Sequence, residues 1–203
     1  MATDETGTQE GIEGKVAQIV AFVEETTGLR SRWNGSVRVV DSDTAALMSR
    51  LPFFAKKDWG CGITVLQATL SNDGRWRSLL HEALHSVSVG LTQESYNQFA
   101  PWEEAVVESL QRMYRPALLR SLGVDADESR FAAPEATWRF NRTIDALGRI
   151  AAERPDVPAR EVLEGMLRTP LPARPAFAFE WGRQAESFDR FKRVYAAASG
   201  LLR

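Results

Sequence analysis

The chain has 203 residues and a formal net charge of −2, with 44% hydrophobic and 26% charged residues. This balance is that of a globular protein with a buried core, and it argues against disorder and against charge-driven binding to nucleic acid or membranes. The single cysteine, Cys61, excludes an internal disulfide, and no apolar run approaches the roughly 20 residues that span a bilayer. The acidic start "MATDETGTQEG" is unlike a targeting peptide. We therefore expect a cytoplasmic protein without nucleic-acid or membrane partners.

The first 40 residues predict a helix followed by a strand. Residues 1–11 read as a flexible tail, and apolar residues at helical spacing predict a helix over 12–28. A turn at Asn34-Gly35 then precedes a short β-branched strand at 37–40.

The next segment predicts a second strand and a helix behind it. The cap candidates for a short helix that Pro52 ends are Asp41, Ser42 and Asp43. The run "CGITVLQATL" at 61–70 is the strongest strand signal, because it is rich in Ile, Thr and Val. After the turn "SNDG" a helix is expected over 75–89, with Gly90 as its stop.

The remaining chain predicts helices. Pro101 and the acids after it favour a helix over 101–115, preceded by a loop. The stretch "RTPLPARPAF" reads as an extended connection, and Arg174 within it reads as helix surface along with other arginines of this half. Further helices are expected over 135–152, 159–168 and 178–199.

This order predicts an α+β fold, with a small mixed sheet and its helices at the N-terminal side, followed by a helical C-terminal lobe. The expected organisation is a tail at 1–11, a core at 12–122 and a helical lobe at 123–203, which can belong to the same domain as the core.

The chemistry lies in the stretch "HEALH", which contains both histidines of the chain, His81 and His85. Residues four apart stack on one face of a helix, so the two imidazoles point the same way. Glu82 is offset by one residue and can lean over a metal-bound water. The pattern predicts a zinc site with two histidine ligands and a glutamate as general base.

A catalytic zinc ion needs a third protein ligand, and "WEEAVVES" supplies candidate carboxylates. Glu104 follows His85 by nineteen positions, and Glu108 lies one turn further on the same helix face. Glu108 can accept the second N–H of a ligand imidazole and so fix its tautomer. Glu103 is the competing ligand, but its neighbour four positions later is Val107. We expect His81, His85 and Glu104 to bind one zinc ion per chain.

These residues resemble the gluzincin clan of zinc metallopeptidases over residues 62–115, a minimal catalytic core. The eighteen residues between "HEALH" and Glu104 match the clan's aminopeptidases, and the Glu-Ala-x-x-acid run is similar to the thermolysin group. The resemblance implies a zincin-like core in which an edge strand, here Ile63–Thr69, pairs with the backbone of a peptide or protein substrate.

Hydrolysis also needs a donor to the developing oxyanion besides the metal. Tyr96 lies between His85 and Glu104, where the resemblance places an oxyanion tyrosine; Tyr195 is the alternative. The predicted function is a zinc-dependent peptidase in which Glu82 acts as general base and acid. A catalytically silent zincin-like binding or regulatory module with a structural zinc remains the alternative, as does a peptidase for one dedicated partner.

Overall fold

The computed structural model describes residues 9–49, 53–125 and 127–202 and shows an α+β protein. It is mostly helical, with one small sheet in its described part, and only helices follow the sheet along the chain. This confirms the predicted fold class at that level. None of the helices in the described ranges is both long and apolar enough to cross a membrane.

The first half of the chain carries all the strands in the described residues. Its elements are α1 (Gln9–Thr27), β1 (Val37–Val40), α2 (Ser42–Met48), β2 (Ala55–Lys57), β3 (Ile63–Leu66), α3 (Gln67–Leu70) and α4 (Gly74–Val87). Helix α1 begins earlier than the predicted residue 12, and most of the predicted tail lies outside the described residues. Strand β1 has the predicted bounds.

The three strands form a mixed sheet in the order β1-β3-β2. Strand β3 pairs in parallel with β1, placing Val37 opposite Ile63, and antiparallel with β2, placing Ala55 opposite Val65. Strand β2 was not predicted, because its sequence is only Ala-Lys-Lys. The predicted strand at 61–70 is shorter than expected, since its last four residues form α3.

The edge-strand prediction for Ile63–Thr69 is wrong. Ile63–Leu66 forms the central strand, and both of its sides are paired. Its backbone N–H and C=O groups are therefore used within the sheet and cannot pair with a substrate. Residues 67–69 are helical, which excludes them from strand pairing as well.

Of the three cap candidates, Asp41 caps helix α2. The carboxylate of Asp41 accepts a hydrogen bond from the backbone N–H of Thr44 at 2.8 Å, and this bond holds the pKa of Asp41 below its usual value. The helix ends at Met48, and Pro52, its predicted stop, lies outside the described residues.

The chain divides into two compact units. The first comprises the described residues up to Val87 together with Tyr114–Phe131. In it α1 packs against α4 and β1, and α4 packs against β2, so one face of the sheet is covered by helices. Side chains from α1 and the sheet are almost fully buried there: Ile12, Val16, Ile19, Val23, Ile63, Val65.

The second unit comprises Ser88–Met113 and the described residues from Ala132 onward. The helices after α4 are α5 (Gln93–Ser121), α6 (Ser129–Ala136), α7 (Asn141–Ala152), α8 (Ala159–Arg168), α9 (Arg174–Gly182) and α10 (Phe188–Ser199). Helix α8 has the predicted bounds. Within the unit, α7 packs on α8 and α10, and α9 packs on both α8 and α10.

Four predictions for the helical half differ from the structure. The predicted helix over 135–152 is interrupted, since α6 ends at Ala136 and α7 begins at Asn141. The predicted helix over 178–199 is interrupted as well, since α9 ends at Gly182 and α10 begins at Phe188. Helix α5 begins at Gln93 rather than at 101, with a kink at Phe99 (φ −127°, ψ 21°) just before Pro101. A proline ring clashes with the preceding turn, which explains a break at that place. The predicted extended connection contains a 3-10 helix (Leu171–Ala173), and α9 already begins at Arg174.

Candidate metal centre

Helix α4 presents its polar side chains in a buried setting. Every residue from Trp76 to Val87 is buried, including both histidines and the glutamate of "HEALH". Burying polar groups costs free energy unless they find partners, so a helix with six buried polar or charged residues is unusual for pure packing. The buried polar residues of α4 are Arg77, Ser78, His81, Glu82, His85 and Ser86. This burial favours a function for them.

The two imidazoles face each other. His81 and His85 are each 6% exposed, and their Nε2 atoms lie 3.1 Å apart. Two nitrogens bound to one tetrahedral zinc ion at about 2.0–2.1 Å would be separated by about 3.3 Å. The observed separation is close to that value, so the pair could hold a metal between its Nε2 atoms with little adjustment.

Glu82 contacts the backbone of β2. Its Oε2 accepts a hydrogen bond from the N–H of Lys57 at 2.6 Å, and its side chain is buried. Oε1 makes no hydrogen bond to any described residue, which leaves it able to take a proton from water. The structure therefore holds the predicted general base by one oxygen only.

The N–H of Lys57 points to the free side of β2. Leu66 donates to the carbonyl of Phe54 at 2.9 Å, and Asp58 donates to that of Gly62 at 2.8 Å. Backbone groups alternate in direction along an antiparallel strand, so Phe54, Lys56 and Asp58 face β3. Ala55 and Lys57 face away from it. Glu82 thus lies at the one side of β2 that the sheet leaves open, and β2 is an edge strand beside helix α4.

Glu103, the competing third ligand, is engaged elsewhere. It is fully buried, and its Oε2 accepts hydrogen bonds from Arg174 Nη1 at 2.6 Å and from Ser88 Oγ at 2.8 Å. Arg174 also donates to Ser88 Oγ at 2.6 Å. A carboxylate in such an ion pair has its charge compensated. Glu104 is therefore the better candidate for the third metal ligand.

Glu104 is buried and contacts a tyrosine. The hydroxyl of Tyr96 donates to Glu104 Oε1 at 2.5 Å, a distance typical of a charge-assisted hydrogen bond. Tyr96 lies on the first part of α5, where sequence analysis expected a loop. The alternative tyrosine, Tyr195, donates its hydroxyl to the carbonyl of Pro175 at 2.8 Å and packs its ring on Phe179. Tyr96 is therefore the better candidate.

Glu108 has a side chain with no exposed area and an arginine on its own helix. Arg112 Nε donates to Glu108 Oε1 at 3.0 Å. One carboxylate can accept several hydrogen bonds, so this pair leaves capacity for the imidazole N–H that Glu108 is predicted to accept.

The residues that could hold a metal ion are the predicted ones. Among the described residues, the group of three or more His, Cys, Asp or Glu side chains that could do so consists of His81, His85 and Glu104. Each offers one ligand atom, and all three are buried. Two nitrogens and one carboxylate oxygen are a donor set that suits catalytic zinc.

The roles of two residues, Lys57 and Arg174, were not predicted from the sequence. The backbone N–H of Lys57 carries no sequence signal, because any residue at that place in β2 would offer it. Arg174 was predicted to lie on a helix surface, and that prediction is wrong, since it is fully buried. No feature of its local sequence separates it from exposed arginines such as Arg168.

Comparison of the chain with protein-family models, with curated proteins and with solved structures finds no match in any of the three.

Proposed function

We propose that the protein is a zinc-dependent peptidase that binds one zinc ion through His81, His85 and Glu104. The observation that carries this proposal is the pair of buried imidazoles, whose Nε2 atoms face each other at 3.1 Å beside the buried Glu82. A carboxylate between the two ligands along the helix is typical of hydrolytic zinc sites, where it serves as the general base.

In the proposed mechanism Glu82, Tyr96 and Glu108 have separate roles beside the metal ion. When bound, the ion supplies Lewis-acid activation of a water molecule. Glu82 takes the proton of the attacking water and later delivers it to the departing amine. Tyr96 donates its hydroxyl to the oxygen that gains negative charge at the scissile carbonyl. For this it must exchange its hydrogen bond to Glu104 for one to the substrate. Glu108 keeps a ligand imidazole in one tautomer.

A peptide substrate would bind as an additional strand along β2. Ala55 directs its N–H and C=O to the open side of this strand, where Glu82 also lies. Main-chain pairing holds an extended peptide with little dependence on its sequence. The small mixed sheet with its covering helix α4 fits a zincin-like core of the gluzincin kind. We place the activity in the cytoplasm on composition alone.

One observation favours a second candidate function. The hydrogen bond from Lys57 to Glu82 gives this carboxylate a structural task, which a metal-braced binding module would also need. In such a module zinc would stabilise the helices, and Glu82 would only fix β2 against α4.

The Glu82→Gln variant separates the two candidates. The amide oxygen can still accept from Lys57, so the variant should fold and keep its zinc, but it cannot take a proton from water. General acid–base catalysis is typically worth 10²–10⁴-fold, so we expect a loss of roughly that size in kcat. Glu161→Gln, at an exposed position of α8, is the matched control and should be fully active.

The zinc content of each sample is measured by metal analysis alongside its peptide cleavage. Equal cleavage by zinc-loaded wild type and Glu82→Gln would refute the peptidase mechanism and leave the binding module. Wild-type protein that takes up no zinc when it is supplied would refute both candidates.

A further inference from the structure

The outer face of the sheet at β2 combines an exposed aromatic ring with positive charge. Phe54, directly before β2, is 56% exposed, and Lys56 is half-buried on the same face. The ammonium group of Lys56 makes no ion pair with any described residue. Arg38, which lies in the same row across Thr64, is exposed and adds a second positive charge.

Two charged residues next to Lys56 in the sequence, Lys57 and Asp58, make contacts within the fold. Asp58, directly after β2, is half-buried and accepts a hydrogen bond from the hydroxyl of Thr64 at 2.8 Å. Its single negative charge is outnumbered by the positive charges of Lys56 and Arg38. Lys57 is buried, with its Nζ 5.4 Å from the centre of the Trp59 ring. Lys56 is therefore the charge that β2 itself presents at its outer face.

The pairing pattern fixes which side chains of a bound peptide would meet these groups. In antiparallel pairing a peptide residue opposite Ala55 exchanges two hydrogen bonds with it. Side chains alternate between the faces of a sheet, so the preceding and following peptide residues lie on the outer face. Since the chains run in opposite directions, the preceding residue lies opposite Lys56 and the following residue opposite Phe54.

We propose that Lys56 and Phe54 determine specificity, and that the preferred substrates are extended peptides with an acidic residue and, two positions later, an apolar residue. This inference rests on the proposed peptidase function and on binding along β2. Opposite charges and apolar side chains in directly opposed positions stabilise strand pairing, and like charges weaken it. Burial of the exposed Phe54 ring by the apolar residue adds a hydrophobic contribution.

The test compares matched peptides with zinc-loaded protein. One set carries Asp-Ala-Leu, a second Lys-Ala-Leu, a third Asp-Ala-Ser and a fourth the reversed order Leu-Ala-Asp, in otherwise identical sequences. An opposed pair contributes up to about 1 kcal/mol, so we expect kcat/KM to favour Asp-Ala-Leu over each of the others by roughly two- to fivefold. In Lys56→Glu the preference between Asp and Lys should reverse. In Phe54→Ser the preference for Leu over Ser at the third position should disappear.

Lys192→Glu on α10 is the charge-matched control, because it also replaces an exposed lysine by glutamate. It should keep the wild-type preference. If zinc-loaded wild type cleaves the peptides, and the ratio of kcat/KM for the Asp peptide to that for the Lys peptide is the same in Lys56→Glu, the specificity inference alone is refuted. Zinc-loaded wild type that cleaves no peptide in a broad library would instead refute the proposed function.

Discussion

Arg174 and Glu103 form a fully buried ion pair in the second unit, so removing the positive partner should be costly. Arg174→Met keeps most of the side-chain volume but removes the guanidinium from Glu103, to which the hydroxyl of Ser88 still donates a hydrogen bond. Leaving a buried charge without its partner costs about 3–5 kcal/mol. Because Ser88 still donates to Glu103, we expect the lower part of that range. This is a large share of the ~5–15 kcal/mol that stabilise a typical domain.

The double variant Glu103→Leu/Arg174→Met tests the cause of that loss. It removes both charges, and apolar replacement of a buried pair is often close to neutral, so we expect the free energy of unfolding to recover by at least ~2 kcal/mol over the single variant. Arg168→Met is the matched control. Its guanidinium is 46% exposed and pairs with Glu164 on its own helix, so the loss should stay below ~1 kcal/mol.

The assay is urea unfolding of the metal-free proteins, followed by far-ultraviolet circular dichroism with m-values compared. Metal-free protein is needed because a bound ligand would add its own stabilisation to the measured free energy. If Arg174→Met loses no more than Arg168→Met, the buried charge is not what makes Arg174 important. If the double variant is as unstable as the single one, lost packing rather than an unpaired carboxylate explains the loss.

Three further predictions concern the site and its neighbourhood. Glu104→Ala should abolish stoichiometric zinc binding, whereas Glu108→Ala should retain zinc with a Kd about 10–100-fold higher, as measured by chelator competition; similar affinities in the two variants would contradict their assigned roles. Tyr96→Phe should keep its zinc but lose about 10²–10³-fold in kcat, and an unchanged kcat would exclude it as the oxyanion donor. Gly90→Ala should lower the free energy of unfolding by about 1–2 kcal/mol or more, because Gly90 has φ +70° and a Cβ would lie 3.0 Å from Pro170 Cα. A midpoint urea concentration of unfolding equal to that of wild type would contradict this prediction.

Local sequence determined the features that depend on neighbouring residues. Side-chain periodicity predicts the bounds of β1 and α8. The few residue types that suit helix ends predict the cap at the start of α2 and the end of α4 before Gly90. The arrangement of His81 and His85 on one helix face belongs here too, because a spacing of four fixes it wherever the helix lies.

Tertiary structure decided what depends on partners far along the chain. Strand β2 exists because it pairs with β3, and its Ala-Lys-Lys sequence has no strand preference of its own. The same pairing made β3 the central strand and moved the open edge to β2. By sequence alone Glu103 competes with Glu104 as the third ligand. In the structure Glu103 instead pairs with Arg174, 71 positions away. Burial of a charge is set by its partner, and local sequence cannot name a partner that folding brings from so far away.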